Sequence, residues 1–303
     1  LLEDKLGKLL PPEERIGESW ELSDHPNGRS RVASGPFGGE EFGDLLRRFP
    51  REMIGRASAP DRYPLLVKIL DAAEDLSIQV HPDDQYASSR GDRGKTECWY
   101  IMDCPIDGEV IFGLADGVNP SDLRRGARDG SIERMVARQK IQPGSFLFVE
   151  TGTVHALLAG TLVCEVQQSS DTTYRLWDWN RKPARDLHIE DSIAVTRPHL
   201  SESQHRQLPK PGSLREPKML TENAYFRVHA IDSHPDGAVS FPVGLAETGI
   251  IVVCVAGTAQ LKGDHWSLLL EVGQTCFVPA AGGTRIQLSG SSARVIVAES
   301  REL

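Results

Sequence analysis

The 303-residue sequence predicts a mainly β protein, a sandwich or barrel in two related halves, on three observations. Its apolar residues fall in short runs bounded by Gly, Pro, Asp or Asn, the pattern of many short strands. Helical periodicity is confined to two places. A phrase also recurs: GSFLFVETGTVH from Gly144 returns as GQTCFVPAAGGT from Gly273, 129 positions later.

In chain order, Phe42, Leu45, Leu46 and Phe49 have the i, i+3, i+4, i+7 spacing of one apolar helix face, stopped by Pro50. The strands PLLVKIL, LSIQV and ECWYIM follow. Around residues 120–138, NPSDLRRGARDGSIERMV offers Ser121 and Ser131 as N-caps and Gly130 as a break, which predicts two short helices. SFLFV and TLVCEV complete the first half; IIVVCV, SLLLEV, CFVP and RVIVA make the second. Between them, TRPHLSESQHRQLPKPGSLREPK is polar and Pro-rich and reads as a connector. The expected division is therefore 1–212, carrying any site, and 213–303, a second barrel. At the twelfth place of the repeated phrase the first half has His155 and the second Thr284, so the second half is expected to lack the site.

Composition narrows the function. Thirty-four Lys and Arg against 43 Asp and Glu leave a net charge of −9, which disfavours nonspecific binding to nucleic acid or anionic membrane. A small anionic ligand in a locally basic pocket stays compatible with that charge. No apolar run approaches the roughly 20 residues of a membrane helix. The five cysteines are odd in number, form no CxxC, and four of them sit in apolar strand runs, so free buried thiols and a reducing cytoplasm are expected. The chain opens LLEDKLGKLL, without Met and without a signal-peptide pattern, which leaves targeting open.

The chemistry concentrates in a few residues. In LSIQVHPDD, strand alternation puts Leu76, Ile78 and Val80 on one face and Ser77, Gln79 and His81 on the other. Three polar groups on a buried face need partners, such as a metal and a polar ligand. An alternating strand equally turns its polar side to solvent, and the strand alone supports either reading. GKTECWYIM adds Lys95 and Glu97 on one face, although a Glu at a strand start is often an edge residue. GTVHALL places His155 after a Gly-containing turn, where a lone His is more often simply hydrogen-bonded. Together Gln79, His81, Glu97 and His155 offer two imidazoles, a carboxylate and an amide oxygen, donors that suit zinc, and iron or manganese less specifically. Farther on, Thr161, Val163, Glu165 and Gln167 share a face opposite Leu162, Cys164 and Val166.

QxH, then Glu, then a distant GxxH between strands resembles the metal site of the cupins, which are double-sheet jelly rolls. WELSDHPNG at Trp20–Gly28, PLLVKILDA, LSIQVHPDD, GKTECWYI, GTVHAL and EVQQSSDTTYRLWDWNR together resemble the type I mannose-6-phosphate isomerases, particularly their short prokaryotic form. The likeness runs from about Ile16 to Asp191 and more loosely onward. It implies two cupin-like jelly-roll barrels, with a few short helices inserted in or flanking the first. It implies one zinc per chain on Gln79, His81, Glu97 and His155, with Ser77 and Lys95 beside the ligands. Arg175 matches the family's catalytic arginine, Arg181 a further basic position, and Glu165 and Asp171 lie in the same stretch. By this resemblance Arg175, Lys95, Glu165 and Asp171 are catalytic, and Ser77, Lys95, Arg175 and Arg181 bind the sugar phosphate. The implied reaction interconverts mannose 6-phosphate and fructose 6-phosphate through an enediol or enediolate, in the cytoplasm.

Other readings stay open at this level. Arg175 and Arg181 could form surface ion pairs with Asp171 or Asp178, which are common and contribute little. Trp177 and Trp179 read as packing residues. Glu150 stands where cupins usually carry Pro, whereas Pro279 holds that place in the second copy; the strand expected before WELSDH is missing. Two His and a carboxylate also suit an iron oxygenase. A non-enzymatic sugar-phosphate-binding cupin and an isomerase of glucose 6-phosphate complete the alternatives.

Overall fold

A computed structural model describes residues 1–11, 14–197, 205–234, 237–242, 248–283 and 285–302. It is mainly β with a few short helices. The chain begins with α1 (Leu2–Leu6), β1 (Glu18–Leu22) and the small pair β2 (Asp24–His25) and β3 (Gly28–Arg29). Helix α2 (Phe42–Arg48) buries Phe42, Leu45 and Leu46, the apolar face expected. Pro50 both ends it and opens α3 (Pro50–Ile54), where a missing N–H costs nothing in the first turn. Strand β4 (Leu65–Ala72) follows.

Contacts group the residues into two compact units, Leu70–Gln207 and Leu1–Ile69 with Leu208–Leu303. Residues 1–69 are thus grouped with the C-terminal strands, where the expected division put them with 70–212. Phe42 and Tyr63 each set a ring edge-on against Phe277, at 5.0 and 5.8 Å between centroids.

The unit 70–207 holds β5 (Ile78–Val80), α4 (Asp84–Ser88), β6 (Glu97–Asp103), β7 (Glu109–Leu114), α5 (Pro120–Asp129), β8 (Val136–Lys140), β9 (Ser145–Val149), β10 (His155–Leu157), β11 (Thr161–Gln168), β12 (Tyr174–Trp177), α6 (Ile189–Val195) and β13 (His205–Gln207). Strands β12, β5, β10, β7 and β8 form one sheet in that order, and β11, β6, β9 and β13 run side by side in a second. Side chains from both sheets meet in one core, including Trp99, Ile101, Val110, Leu147, Leu157 and Val163. The outer face of the first sheet presents Ile78, Val80, Ala156 and Leu176 to Leu123 and Ala127 of α5 and to Ile189 and Ile193 of α6. Asn119, not Ser121, caps α5, its N–H donating to the Asp122 carboxylate at 3.1 Å. Gly130 (φ 78°) ends the helix as expected, and a single 3₁₀ turn over Ser131–Arg134 leads directly into β8. Helices α1, α4 and α6 lie outside the two places where periodicity shows.

The C-terminal strands are β14 (Lys218–Glu222), β15 (Phe226–Asp232), β16 (Val239–Pro242), β17 (Ile250–Lys262), β18 (Ser267–Glu271), β19 (Thr275–Val278) and β20 (Arg285–Ser300). The long β17 and β20 pair with each other, and each changes its other partner along its length: β19 then β18, and β16 then β15. Gly144 and Gly273, which open the repeated phrase, both adopt the left-handed conformation (φ 89° and 83°) before β9 and β19. Thr284 lies outside the described residues. All five cysteines are free, with Cys98, Cys164 and Cys254 buried. Among the described residues no helix is long and apolar enough to cross a membrane.

Arg294 is fully buried and bound by Asp232 at 2.6 and 2.8 Å and by the Pro209 carbonyl at 2.9 Å. Asp232 also accepts from the Ser213 and Leu214 N–H groups, both at 2.9 Å, which ties down the end of the connector. Asp232→Ala leaves a buried guanidinium without its counter-charge, and an expected loss of about 3–5 kcal/mol in urea unfolding follows. A change under about 0.5 kcal/mol would contradict that account.

Candidate metal centre

Register brings the candidate residues together. His155 on β10 and Arg175 on β12 both lie directly opposite Gln79 on β5, so all three side chains leave the same face of that sheet. In the second sheet Glu97 on β6 lies opposite Gln167 on β11 and Val149 on β9. The two inner faces thus share an apolar core that gives way to a polar cluster.

His81, Glu97 and His155 are buried, and their ligand atoms lie within 4.8 Å of one another. Glu97 Oε2 is 3.4 Å from His81 Nε2, and Oε1 is 3.5 Å from His155 Nε2. The other ring nitrogens are fixed from behind: His81 Nδ1 lies 2.9 Å from the Thr172 carbonyl and His155 Nδ1 2.9 Å from that of Thr153. A carbonyl only accepts, so each Nδ1 carries a hydrogen and each ring turns its Nε2 toward Glu97. Burial, reinforced by the Lys95 charge, pushes His155 down to about 4 against its Thr153 hydrogen bond. It is neutral at pH 7, as a ligand must be.

Both Glu97 oxygens are buried without a hydrogen bond of good geometry, although Lys95 Nζ stands 3.0 Å from Oε2. A carboxylate so enclosed, between the Nε2 atoms of two imidazoles, is the donor set of a divalent cation. The residues fit a metal.

The remaining predicted residues divide. Ser77 is buried, and its hydroxyl donates to Gln79 Oε1 at 3.2 Å; Gln79 Nε2 stands 3.3 Å from His155 Nε2. Lys95 Nζ lies 3.1 Å from His81 Nε2 and 4.0 Å from Glu165 Oε1. Glu165 is buried and accepts from the Trp99 indole at 2.9 Å. Burial, with the nearby Arg185 charge, lowers Arg175 from its ordinary value, while Asp178, Asp171 and Asp186 oppose the shift. Its Nε is buried without a hydrogen-bond partner. Asp171 is exposed and outside the cluster. Arg181 donates to the Asp75 carbonyl at 2.6 Å, with Asp178 at 3.8 Å and Glu74 at 3.9 Å. Trp177 packs in the outer core, and Trp179 donates to the Leu76 carbonyl at 2.8 Å, so both serve packing.

Sequence reasoning missed three groups. Trp99 meets His155 edge-on at 5.3 Å and holds Glu165; its place beside Glu97 read only as apolar. Arg185 binds Asp178 through two hydrogen bonds, one of 2.8 Å, from a loop without a motif. Asp92 accepts from Ser170 at 2.9 Å and Thr172 at 2.7 Å, steadying the segment whose carbonyl orients His81. Only the in-phase face containing Gln167 gave a readable sign.

Comparison with known proteins places this geometry. The family model for the catalytic domain of type I phosphomannose isomerase matches residues 2–103. The Bacillus subtilis protein named "Probable mannose-6-phosphate isomerase GmuF" is 41% identical over 291 residues, 93% of this chain and 89% of its own. Mannose-6-phosphate isomerase ManA of the same organism is 45% identical over 190 residues, 61% of this chain and 59% of its own. The crystal structure of the mannose 6-phosphate isomerase from Bacillus subtilis superposes with a TM-score of 0.82 at 33% identity, covering 98% of this chain and 94% of that one.

Proposed function

The chain belongs to the type I phosphomannose isomerases, and from that membership we propose that it interconverts mannose 6-phosphate and fructose 6-phosphate with one zinc held by Gln79, His81, Glu97 and His155. The observation that carries the metal assignment is the buried Glu97 carboxylate set between the Nε2 atoms of two histidines, 3.4 and 3.5 Å away. Gln79 joins the set by a half-turn of its amide, which exchanges nitrogen for oxygen on the side facing His155. Bound zinc would supply a Lewis acid for the neighbouring carbonyl and hydroxyl oxygens of the open-chain sugar.

The chain's own residues do the rest. Isomerisation moves a proton between C1 and C2 and builds negative charge on the enediolate oxygens. Lys95, held between Glu97 and Glu165, sets a buried cation beside that charge. Arg175 has a partly buried guanidinium on the sheet face of Gln79 and offers paired donors to the enediolate or the phosphate. Ser77 orients Gln79, while Glu165 positions Lys95 and Asp171 favours the charge on Arg175. Arg181 adds a cation near Asp178 for the substrate phosphate. The substrate is thus a small sugar phosphate, in line with an acidic chain that gathers a few cations locally.

The two β units are read as cupin-like jelly rolls, the one at 70–207 catalytic and the other structural. Five free thiols favour a cytoplasmic location. A coupled assay of the zinc-loaded protein is expected to convert mannose 6-phosphate to fructose 6-phosphate and to leave glucose 6-phosphate nearly untouched. Oxygen uptake by an iron-loaded form, with no isomerisation, would replace this reading by an oxygenase; binding of the sugar phosphate without turnover would replace it by a sensor.

A further inference from the structure

Gln167 is fully buried on β11, directly opposite Glu97 and in phase with Glu165, so its side chain leaves the sheet on the face that carries the proposed ligand carboxylate. Opposed residues of this kind hold their Cβ atoms about 5 Å apart. Its amide orientation is decided by its neighbours. Nε2 donates to the Gln168 carbonyl at 2.8 Å and to the Ser170 carbonyl at 2.7 Å. Two carbonyls can receive only the NH₂ end, so the oxygen is the end that remains. That oxygen, Oε1, is buried and has no hydrogen-bond partner. A buried amide acceptor left dry is destabilising unless something donates to it. The Trp99 indole on the same pair of strands already donates to Glu165.

We propose that Gln167 is a specificity-determining residue whose Oε1 accepts a hydrogen bond from a secondary hydroxyl of the bound sugar phosphate, at C3 or C4, beyond the two reacting carbons. The assignment rests on the isomerase reading above. An open-chain sugar whose C1 and C2 oxygens lie at the Glu97 cluster must run its next carbons along one of the inner faces, and Gln167 is Glu97's immediate neighbour across the strands. A site built to receive a hydroxyl discriminates strongly against a substrate that lacks it, because the buried acceptor is then left unpaired. The lock on Nε2 makes the acceptor rigid, so it selects for position as well as for the presence of the hydroxyl.

The test compares mannose 6-phosphate with its 3-deoxy and 4-deoxy analogues on zinc-loaded wild type and on Gln167→Met. Wild type is expected to lose roughly 10- to 100-fold in kcat/KM on one analogue and little on the other. Gln167→Met should lose a similar factor on mannose 6-phosphate and nothing further on that same analogue, with zinc content at the wild-type level. Gln167→Leu, which likewise removes the acceptor, should give the same pattern and serves if the Met variant does not fold. Equal wild-type turnover of all three sugars overturns the proposal without any variant. So do losses that simply multiply, since those indicate a residue acting on the fold alone. Absence of wild-type turnover on mannose 6-phosphate would instead sink the isomerase reading, and the two failures are told apart in the first measurement.

Discussion

His81→Ala and His155→Ala are each expected to cut metal affinity by more than about 100-fold and to abolish isomerisation, with the fold retained. Altering only the partners behind metal ligands costs 10- to 100-fold in affinity, and removing a ligand outright costs more. Each variant leaves Glu97 facing a single imidazole, and neither the Thr172 nor the Thr153 carbonyl can replace the lost lone pair. Both side chains are buried, so each substitution also opens a small polar void. Circular dichroism and unfolding midpoints separate that effect from metal loss. Metal content by atomic spectroscopy after gel filtration decides the matter: full zinc retention in both variants would defeat the ligand assignment.

Arg175→Ala should lower kcat by about 10²–10³-fold while zinc content stays at the wild-type level, as expected for loss of one preorganised cation at a developing oxyanion. The side chain stands on the Gln79 face and is not itself one of the proposed metal ligands. Its environment resembles a binding site more than a surface ion pair. Burial works against its charge, Arg185 opposes it further, and Nε is left without a partner. Arg175→Lys should recover little, because a single ammonium does not reproduce the paired donors of a guanidinium. Near-normal turnover in the Ala variant would remove Arg175 from the mechanism.

The site was legible because a strand writes its faces into the sequence. Ser77, Gln79 and His81 alternate with Leu76, Ile78 and Val80, and the structure sends Ile78 and Val80 into the outer core beneath α5 and α6 while His81 faces Glu97. The order QxH, Glu, GxxH then named the strands that must converge. What alternation cannot show is which strands become neighbours. The register of β11 against β6, which pairs Gln167 with Glu97, depends on pairing between distant segments and left only a polar phase in the sequence. The tautomers of His81 and His155 were equally hidden, since they are set by the Thr172 and Thr153 carbonyls in loops that carry no periodic signal. The meeting of Phe42 and Tyr63 with Phe277 was hidden as well, since these contacts lie more than 200 residues apart in sequence. Arg181, singled out with Arg175, donates to the Asp75 carbonyl at 2.6 Å, a loop partner that no pattern in the sequence points to.

On the proposed reading, isomerisation depends on a metal seated between His81, Glu97 and His155. The most direct test is turnover of mannose 6-phosphate by the purified protein before chelation, after exhaustive chelation, and after zinc is added back to one equivalent per chain. Activity that disappears with the chelator and returns in proportion to zinc, saturating at one equivalent, is the predicted result. Turnover that persists in metal-free protein would contradict it.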